Sequence, residues 1–314
     1  MKIVVTGALG HIGSALIRDL PLRFTGAEIV LIDNLSTQRY PSLFELPVHG
    51  RYRFVEADVR EADLPALFEG THTVVHLAAM TDAAGSAARA AEVEANNYGA
   101  TEAVAKACLA TGARLIHLSS TSVYGTQSRT VTEDCAASDL KPQSPYAATK
   151  LKEEQFVASL AAQGLKAATC RFGTIFGVSS GMRFHTAVNK FCWQAAMGQP
   201  VTVWRTANEQ ARPYLDLADA VRALAFIIGR DLFDGRIYNV LTLNARVRDI
   251  VETLREIVPD LHVAFVDSPI MNQLSYEVSP QRFRDAGFVC TGDIRRGIAQ
   301  TVALLRAAGG DRRR

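Results

Sequence analysis

Cysteine is scarce in this chain. Its 314 residues contain five (Cys108, Cys135, Cys170, Cys192 and Cys290), far apart and with no Cys-x-x-Cys pair. That spacing argues against a zinc cluster or a disulfide framework and for a reducing compartment. Long apolar runs are missing too, and none reaches transmembrane length. Charge of one sign is not in excess. The net value is +2, so there is no electrostatic case for nucleic acid or a membrane surface as partner. The one basic cluster, Asp311-Arg312-Arg313-Arg314, reads as a solvated chain end. There is no internal repeat and no low-complexity segment. The chain opens directly on an apolar run, which leaves no room for a signal peptide, so a cytoplasmic location is expected.

What remains is ordinary globular material. A hydrophobic content of 48% and a charged content of 21% suit a core of one large α/β domain or two lobes. The stretch that organises it is MKIVVTGALGHIG, residues 1–13. A short β-branched run, Ile3-Val4-Val5, is followed by glycines at 7, 10 and 13 and then by a helix-like segment from about His11 to Leu20. A strand, a tight turn and a helix aimed back at the turn make an anion site from free N–H groups and the helix dipole. Gly7 permits the turn, Gly10 lets backbone approach a pyrophosphate, and Gly13 lets helix and strand pack closely. The spacing is GxxGxxG, and by itself it also fits an ordinary turn. A second strand over residues 28–32 ends in Asp33, twenty residues after Gly13. An acid at that place accepts hydrogen bonds from an adenosine ribose, or else it caps the following loop.

Apolar β-like runs alternate with helical stretches through the first 175 residues. Strands are expected at 52–56, 73–77, 114–118 and 166–172, with helices at about 86–110 and 145–162. Strict alternation implies a doubly wound parallel sheet with helices on both faces, and ligands at the C-terminal strand ends. Those ends carry the glycine turn, Asp33, Ala78-Ala79, Ser119-Ser120 and Gly173. After Gly177 the rhythm breaks. A helix at about 186–197, strands at 201–204, 212–215 and 236–240, and helices at 216–228, 246–258 and 293–305 are expected, with a loop-rich stretch over 267–279. The expected division is a Rossmann-type domain over 1–178, with 213–240 returning to it, and a smaller substrate lobe over 179–212 and 241–314.

Tyr146 and Lys150 lie four residues apart on the helix opened by Pro145, one turn apart on one face. A lysine ammonium near a phenol favours the phenolate and lets it serve as a base near neutral pH. YxxxK is also common on plain helix surfaces. Ser119-Ser120, at the end of the preceding strand, can present a hydroxyl to the same point or simply bond its own backbone.

With these residues in place, the chain resembles an extended short-chain dehydrogenase/reductase of the NAD-dependent nucleotide-sugar epimerase/dehydratase family, similar to UDP-galactose 4-epimerase. The matching stretches are TGALGHIG (6–13), DNLS (33–36), ADV (57–59), HLAAM (76–80), NNYGAT (96–101), SSTSVYG (119–125), SPYAATK (144–150) and RFGTIFG (171–177). GQPVTVW (198–204), RPYLDLADAVRA (212–223) and YNV (238–240) extend the likeness more thinly. The resemblance implies an NAD site. Gly7, Gly10, His11, Ile12 and Gly13 would lie on the pyrophosphate, Asp33 and Asn34 on the adenosine ribose, and Asp58 and Val59 on the adenine. Leu77, Ala78, Ala79, Asn96, Ser119 and Phe172 would line the rest of the groove. It also implies Tyr146 as base, Lys150 as its partner and a ligand of the nicotinamide ribose, and Ser120 as the catalytic hydroxyl. Met80, Ser120, Thr121, Ser122, Tyr146, Thr174 and Arg212 would face a nucleotide sugar. No metal is implied, and a homodimer through the helices at 96–110 and 146–162 is.

Two positions bear on the reaction. The family's 4,6-dehydratases carry an Asp-Glu pair before VYG, where this chain has Thr121-Ser122. Elimination of water needs a general acid and base, so epimerisation through a transient 4-keto sugar is expected over dehydration. A one-way dehydrogenase or ketoreductase stays open, as does a non-catalytic NAD-binding sensor. RxxNxYG of the family has Thr174 and Phe176 here, and an Arg-x-Gly-Asp stretch is replaced by SPIMNQLSY (268–276). Both substitutions shift the burden of holding a diphosphate to Arg212, with Arg205 as a second cation. The alternative for Arg212 is a surface pair with Glu209 or Asp216.

Overall fold

The computed structural model describes residues 1–81, 85–267 and 275–309. The tail Asp311–Arg314 and most of the SPIMNQLSY stretch lie outside them. The first half is built from β1 (Lys2–Thr6), α1 (His11–Arg23), β2 (Glu28–Asp33), β3 (Arg51–Glu56), α2 (Leu64–Phe68), β4 (Thr73–His76), α3 (Ala90–Thr111), β5 (Arg114–Ser120), α4 (Pro145–Ala161) and β6 (Ala167–Phe172). The second half adds β7 (Thr174–Phe176), α5 (Ala187–Ala196), β8 (Val201–Trp204), β9 (Ala211–Asp216), α6 (Leu217–Gly229), β10 (Ile237–Val240), β11 (Leu243–Arg246), α7 (Val247–Ile257), β12 (Val263–Val266), α8 (Gln281–Asp285) and α9 (Ile294–Gly309).

Seven parallel strands form the main sheet in the order β10-β6-β5-β4-β1-β2-β3. The order reverses beside β1, which opens a crevice at the C-terminal ends of β1 and β4. Both faces are covered, which is why strands such as Ile3-Val4-Val5 read as unbroken apolar runs. Ile3 and Val5 pack with Leu16, Ile17 and Leu20 of α1 and with Leu224 and Ile228 of α6. Val4 faces the other way, onto Val104 and Cys108 of α3 and Val157 of α4. The fold is the doubly wound α/β architecture read from the sequence.

A three-stranded sheet, β11-β9-β7, and a parallel pair, β12-β8, sit beside it. With α5, α7 and α9 they enclose a second core that includes Phe191, Tyr214, Leu254 and Ile298. The chain crosses between the two cores at different places from those expected. β7 and β9, placed with the main domain by the expected bounds 1–178 and 213–240, belong to the smaller sheet, while β10 lies in the main one, inside the 213–240 return. Phe283 and Phe288 join the main core, stacked at 4.7 Å and packed on Phe226 of α6. The helix expected from residue 86 begins as a 3-10 turn, Gly85–Arg89, before α3.

Candidate functional site

Gly7 ends β1 in the left-handed region at φ 64°, and a side chain there would meet the Ala78 backbone nitrogen at 2.6 Å. A Cβ on Gly13 would lie 2.4 Å from the Gly7 carbonyl oxygen and 2.7 Å from the Ala8 carbonyl. Turn and helix can therefore approach only without side chains at these two positions. Gly10 caps α1 with no side-chain partner and no acid in the first turn, so the positive helix end faces the crevice unneutralised. His11 is buried, and its Nε2 donates to the Gly177 carbonyl at 2.8 Å. Burial pulls its pKa down to about 4. Its imidazole thus braces the turn, and what His11 offers a pyrophosphate is backbone. Ser179 Oγ donates to the His11 carbonyl (2.8 Å), and the Gly181 N–H to Ser14 Oγ (2.9 Å). A Cβ on Gly181 would lie 2.2 Å from the Leu9 carbonyl oxygen. Residues 177–185 show no period in the sequence, and only the folded chain brings them against the turn.

At the ends of β2 and β3, Asp33 accepts the Leu9 N–H on one oxygen and the Leu35 N–H on the other, each at 3.0 Å. Each carboxylate oxygen has further lone pairs, so Asp33 can fix two loops and still take a ribose hydroxyl. Asp58 accepts from Asn34 (3.1 Å) and bidentately from Arg60 (2.9 and 2.7 Å). Its Arg60 bonds hold its carboxyl far below the usual carboxylate range.

Across the crevice, β5 runs into Ser119-Ser120. The Ser119 hydroxyl donates to the buried Glu154, which is also held bidentately by Arg171 (2.9 and 2.6 Å). Ser119 therefore contributes backbone to the groove, and its side chain is spent inside. Ser120 Oγ lies 2.9 Å from Ser122 Oγ and faces the cleft. Ser144 caps α4 by accepting the Ala147 N–H at 3.1 Å, with Pro145 in the first turn, which sets the helix start. Tyr146, the second residue of α4, is half-buried, and one turn further on Lys150 is buried with its ammonium on Glu153 at 2.8 Å. Burial works to lower the Lys150 pKa, but Glu153, Tyr146 and Glu154 together leave it above the ordinary lysine value. Asn97 clamps the Met80 backbone, accepting its N–H (2.7 Å) and donating to its carbonyl (2.8 Å). Asn96, the residue singled out by resemblance, donates to Asn97 at 2.9 Å. Asn97 itself was not singled out.

All of the candidate residues line one continuous cleft of ≈ 790 Å³. It runs from Asp33 and Asp58, past the glycine turn and Tyr146, to Thr174 and Arg212. Its far wall also holds Arg183, His185 and Lys190, none of them recognised in the sequence. Arg212 lies in this wall with Nη2 on Gln210 at 3.0 Å. Arg205 does not line the cleft. It is exposed beside Asp267 (3.6 Å) and over the Phe265 ring. Thr121 is buried, its Oγ1 3.3 Å from both the Phe172 carbonyl and the Tyr276 hydroxyl. The only carboxylates lining the cleft among the described residues are Asp33 and Asp58, at the end remote from Tyr146. Among those residues no His, Cys, Asp and Glu cluster could hold a metal ion, and no helix is long and apolar enough to cross a membrane.

An uncapped helix N-terminus over side-chain-free backbone, with a carboxylate at the end of the next strand, fits a dinucleotide. The comparisons with known proteins agree. Residues 3–240 match the NAD dependent epimerase/dehydratase family. A trifunctional UDP-glucose 4,6-dehydratase/UDP-4-keto-6-deoxy-D-glucose 3,5-epimerase/UDP-4-keto-L-rhamnose-reductase of Arabidopsis thaliana is 28% identical over 96% of this chain and 46% of its own. The chain thus spans about half the length of that relative. UDP-glucose 4-epimerase of Mycolicibacterium smegmatis is 34% identical over 50% of each chain. The solved structure of MoeE5 with UDP-glucuronic acid and NAD superposes with a TM-score of 0.84, at 27% identity, over 98% of this chain and 100% of the other. The matched span, the doubly wound sheet and the dinucleotide crevice lead to one conclusion: this chain belongs to the NAD-dependent epimerase/dehydratase family, and its cofactor is NAD.

Proposed function

We propose that the protein is a UDP-sugar epimerase that inverts C4 through a transient 4-keto sugar. One observation carries the choice of reaction. Thr121 and Ser122, at the end of β5, stand where an eliminating enzyme needs an acid and a base. Neither hydroxyl is acidic enough to expel water from C6, whereas inversion at C4 needs only one proton acceptor beside the reacting carbon.

NAD, when bound, supplies the reversible hydride acceptor. The chain's own residues do the rest. Tyr146 takes the proton of the C4 hydroxyl and returns it to the ketone oxygen, with the Lys150 ammonium beneath it stabilising the phenolate. Ser120, at the end of β5, donates to the same oxygen and fixes its direction. Arg212, Arg183 and Lys190 offer their positive charge to a diphosphate, and a guanidinium fork can hold two of its oxygens at once. Rotation of the 4-keto sugar between departure and return inverts the centre. The nucleotide end of the sugar would stay anchored on the cationic wall meanwhile. A homodimer through α3 and α4 belongs to this reading.

The nucleoside is taken as uridine because UDP-sugars name the ligand or activity of the relatives described above. Incubation with NAD and a panel of UDP-glucose, UDP-glucuronic acid and UDP-N-acetylglucosamine, followed by anomeric proton NMR, tests the reading. The C4 epimer of at least one should form. No epimer from any of the three, with NAD bound, would refute it.

A further inference from the structure

Lys150 is not alone behind Tyr146. Residues 146, 150 and 153 follow the i, i+4, i+7 stripe of one helix face, so Glu153 lies one turn deeper than the lysine. Its side chain is fully buried. Three donors converge on a single oxygen, Oε2: Lys150 Nζ at 2.8 Å, Thr101 Oγ1 of α3 at 2.9 Å and His117 Nε2 of β5 at 3.0 Å. Its other oxygen, Oε1, has no hydrogen-bond partner. His76 of β4, paired in register with His117, lies within electrostatic reach of the same group. Burial, and then the Lys150 and His117 charges, keep the His76 ring well below its ordinary pKa. The other charge on α4 facing this point, Glu154, is held by Arg171 of β6, and Arg89 lines the cleft on the near side.

A buried ion pair seldom stabilises a fold more than apolar residues of the same size would. Here a carboxylate is taken fully out of water with one oxygen unsatisfied. An apolar residue at 153 would avoid that cost but leave the lysine ammonium buried without a counter-ion. An ammonium has three N–H groups, and the bond to Glu153 uses one. The other two stay available toward the tyrosine and the cleft.

We propose that Glu153 is a positioning residue for the reaction: its carboxylate fixes the Lys150 ammonium beneath Tyr146 and keeps it charged in a buried site. Thr101 and His117 in turn hold the carboxylate. The inference rests on the reading of Tyr146 and Lys150 as base and partner, and goes beyond it to a residue outside the cleft lining.

The test uses the NAD-loaded protein with ¹⁵N-labelled lysine, the Lys150 resonance being assigned by its loss in Lys150→Met. In the parent protein that resonance stays an ammonium up to pH 10. In Glu153→Gln it titrates at least about one pH unit below the ordinary lysine value of about 10.4. The alkaline limb of kcat moves down with it. A purely structural role would lower thermal stability and leave both in place, and an unmoved Lys150 titration overturns the proposal. If Glu153→Gln does not fold, the parent decides, because titration of Lys150 below pH 10 there overturns it equally. The two readings fail separately. Turnover retained in Tyr146→Phe would remove the base assignment while leaving the lysine titration as it stands.

Discussion

The two ends of the cleft are made of different material. At the adenosine end, contacts come from backbone and from carboxylates at consecutive strand ends: the glycine turn, the start of α1, Asp33 and Asp58. At the sugar end they come from side chains scattered over β7, β9, α5 and the loop before α5. The first end is fixed by main-chain geometry. The second is a cationic wall on a lobe with its own core. On the proposed function, cofactor binding and choice of substrate rest on different parts of the structure.

Tyr146 stands at the junction and should show the largest effect. Tyr146→Phe is expected to lower kcat by about 10²–10⁴-fold, the range for loss of a positioned proton-transfer group. NAD affinity and melting temperature should stay near the parent's. Steady-state rates with isothermal titration would measure both sides of that expectation. A comparable loss of NAD binding would mean that the junction is not separable from the cofactor end.

Gly13→Ala probes the adenosine end alone. The new methyl would press on the Gly7 and Ala8 carbonyl groups, at 2.4–2.7 Å, and backbone cannot yield there cheaply. Overpacking of this kind costs on the order of 1–3 kcal/mol. Urea unfolding and NAD titration should both register it. Unchanged values for both would show that the turn has more room than its geometry implies.

Arg212→Ala probes the sugar end. The substrate KM should rise by roughly tenfold, as for loss of one charge-assisted hydrogen bond, with NAD binding unchanged. UDP alone should compete with substrate in the parent and much less in the variant. Equal inhibition of the two would place the diphosphate elsewhere, with Arg183 and Lys190 the remaining cations of that wall.

The remaining effect concerns pH. His11 has its pKa depressed from 6.5 to about 4 by burial. The unfolded chain therefore binds one more proton than the folded one between those values. This contribution is complete above pH 6.5 and is lost as pH falls toward 4, at roughly 1 kcal/mol per pH unit. His11→Gln keeps a donor for the Gly177 carbonyl and should flatten that part of the slope between pH 6.5 and 4.5. Chemical denaturation at several pH values reads it directly, and an identical slope in the variant would assign the acid sensitivity to another group.

The same contrast explains what was legible in the sequence. Gly7, Gly13, Asp33, Tyr146 and Lys150 were readable because each answers a local demand: a positive φ, a close approach, a strand end, one helix face. The doubly wound parallel sheet followed from the alternation of strands and helices, whereas the order of its strands comes from the fold itself. Arg183, His185 and Lys190 carry no local signature, since only the packing of α5 in the second core and of its preceding loop against the glycine turn brings them to the cleft. Gly181 and Asn97 escaped notice for the same reason, their partners being 171 and 17 residues away in sequence, at Gly10 and Met80. Ser119 and His11 were expected to line the cofactor groove. Both side chains are turned to internal partners that lie far along the chain, Glu154 and Gly177. The sheets differ from the expected division because β7 and the segment around Phe283 are too short to show a period of their own, and because the period of β9, legible as a strand, does not say which sheet it joins.

The central claim is that C4 is oxidised and reduced in place, with no water lost. A UDP-hexose carrying deuterium at C4, turned over to equilibrium, tests it most directly. The account predicts that the product is the C4 epimer with deuterium still on C4, because the hydride removed from that carbon returns to it. Deuterium found on C6 of a 4-keto-6-deoxy sugar would contradict it.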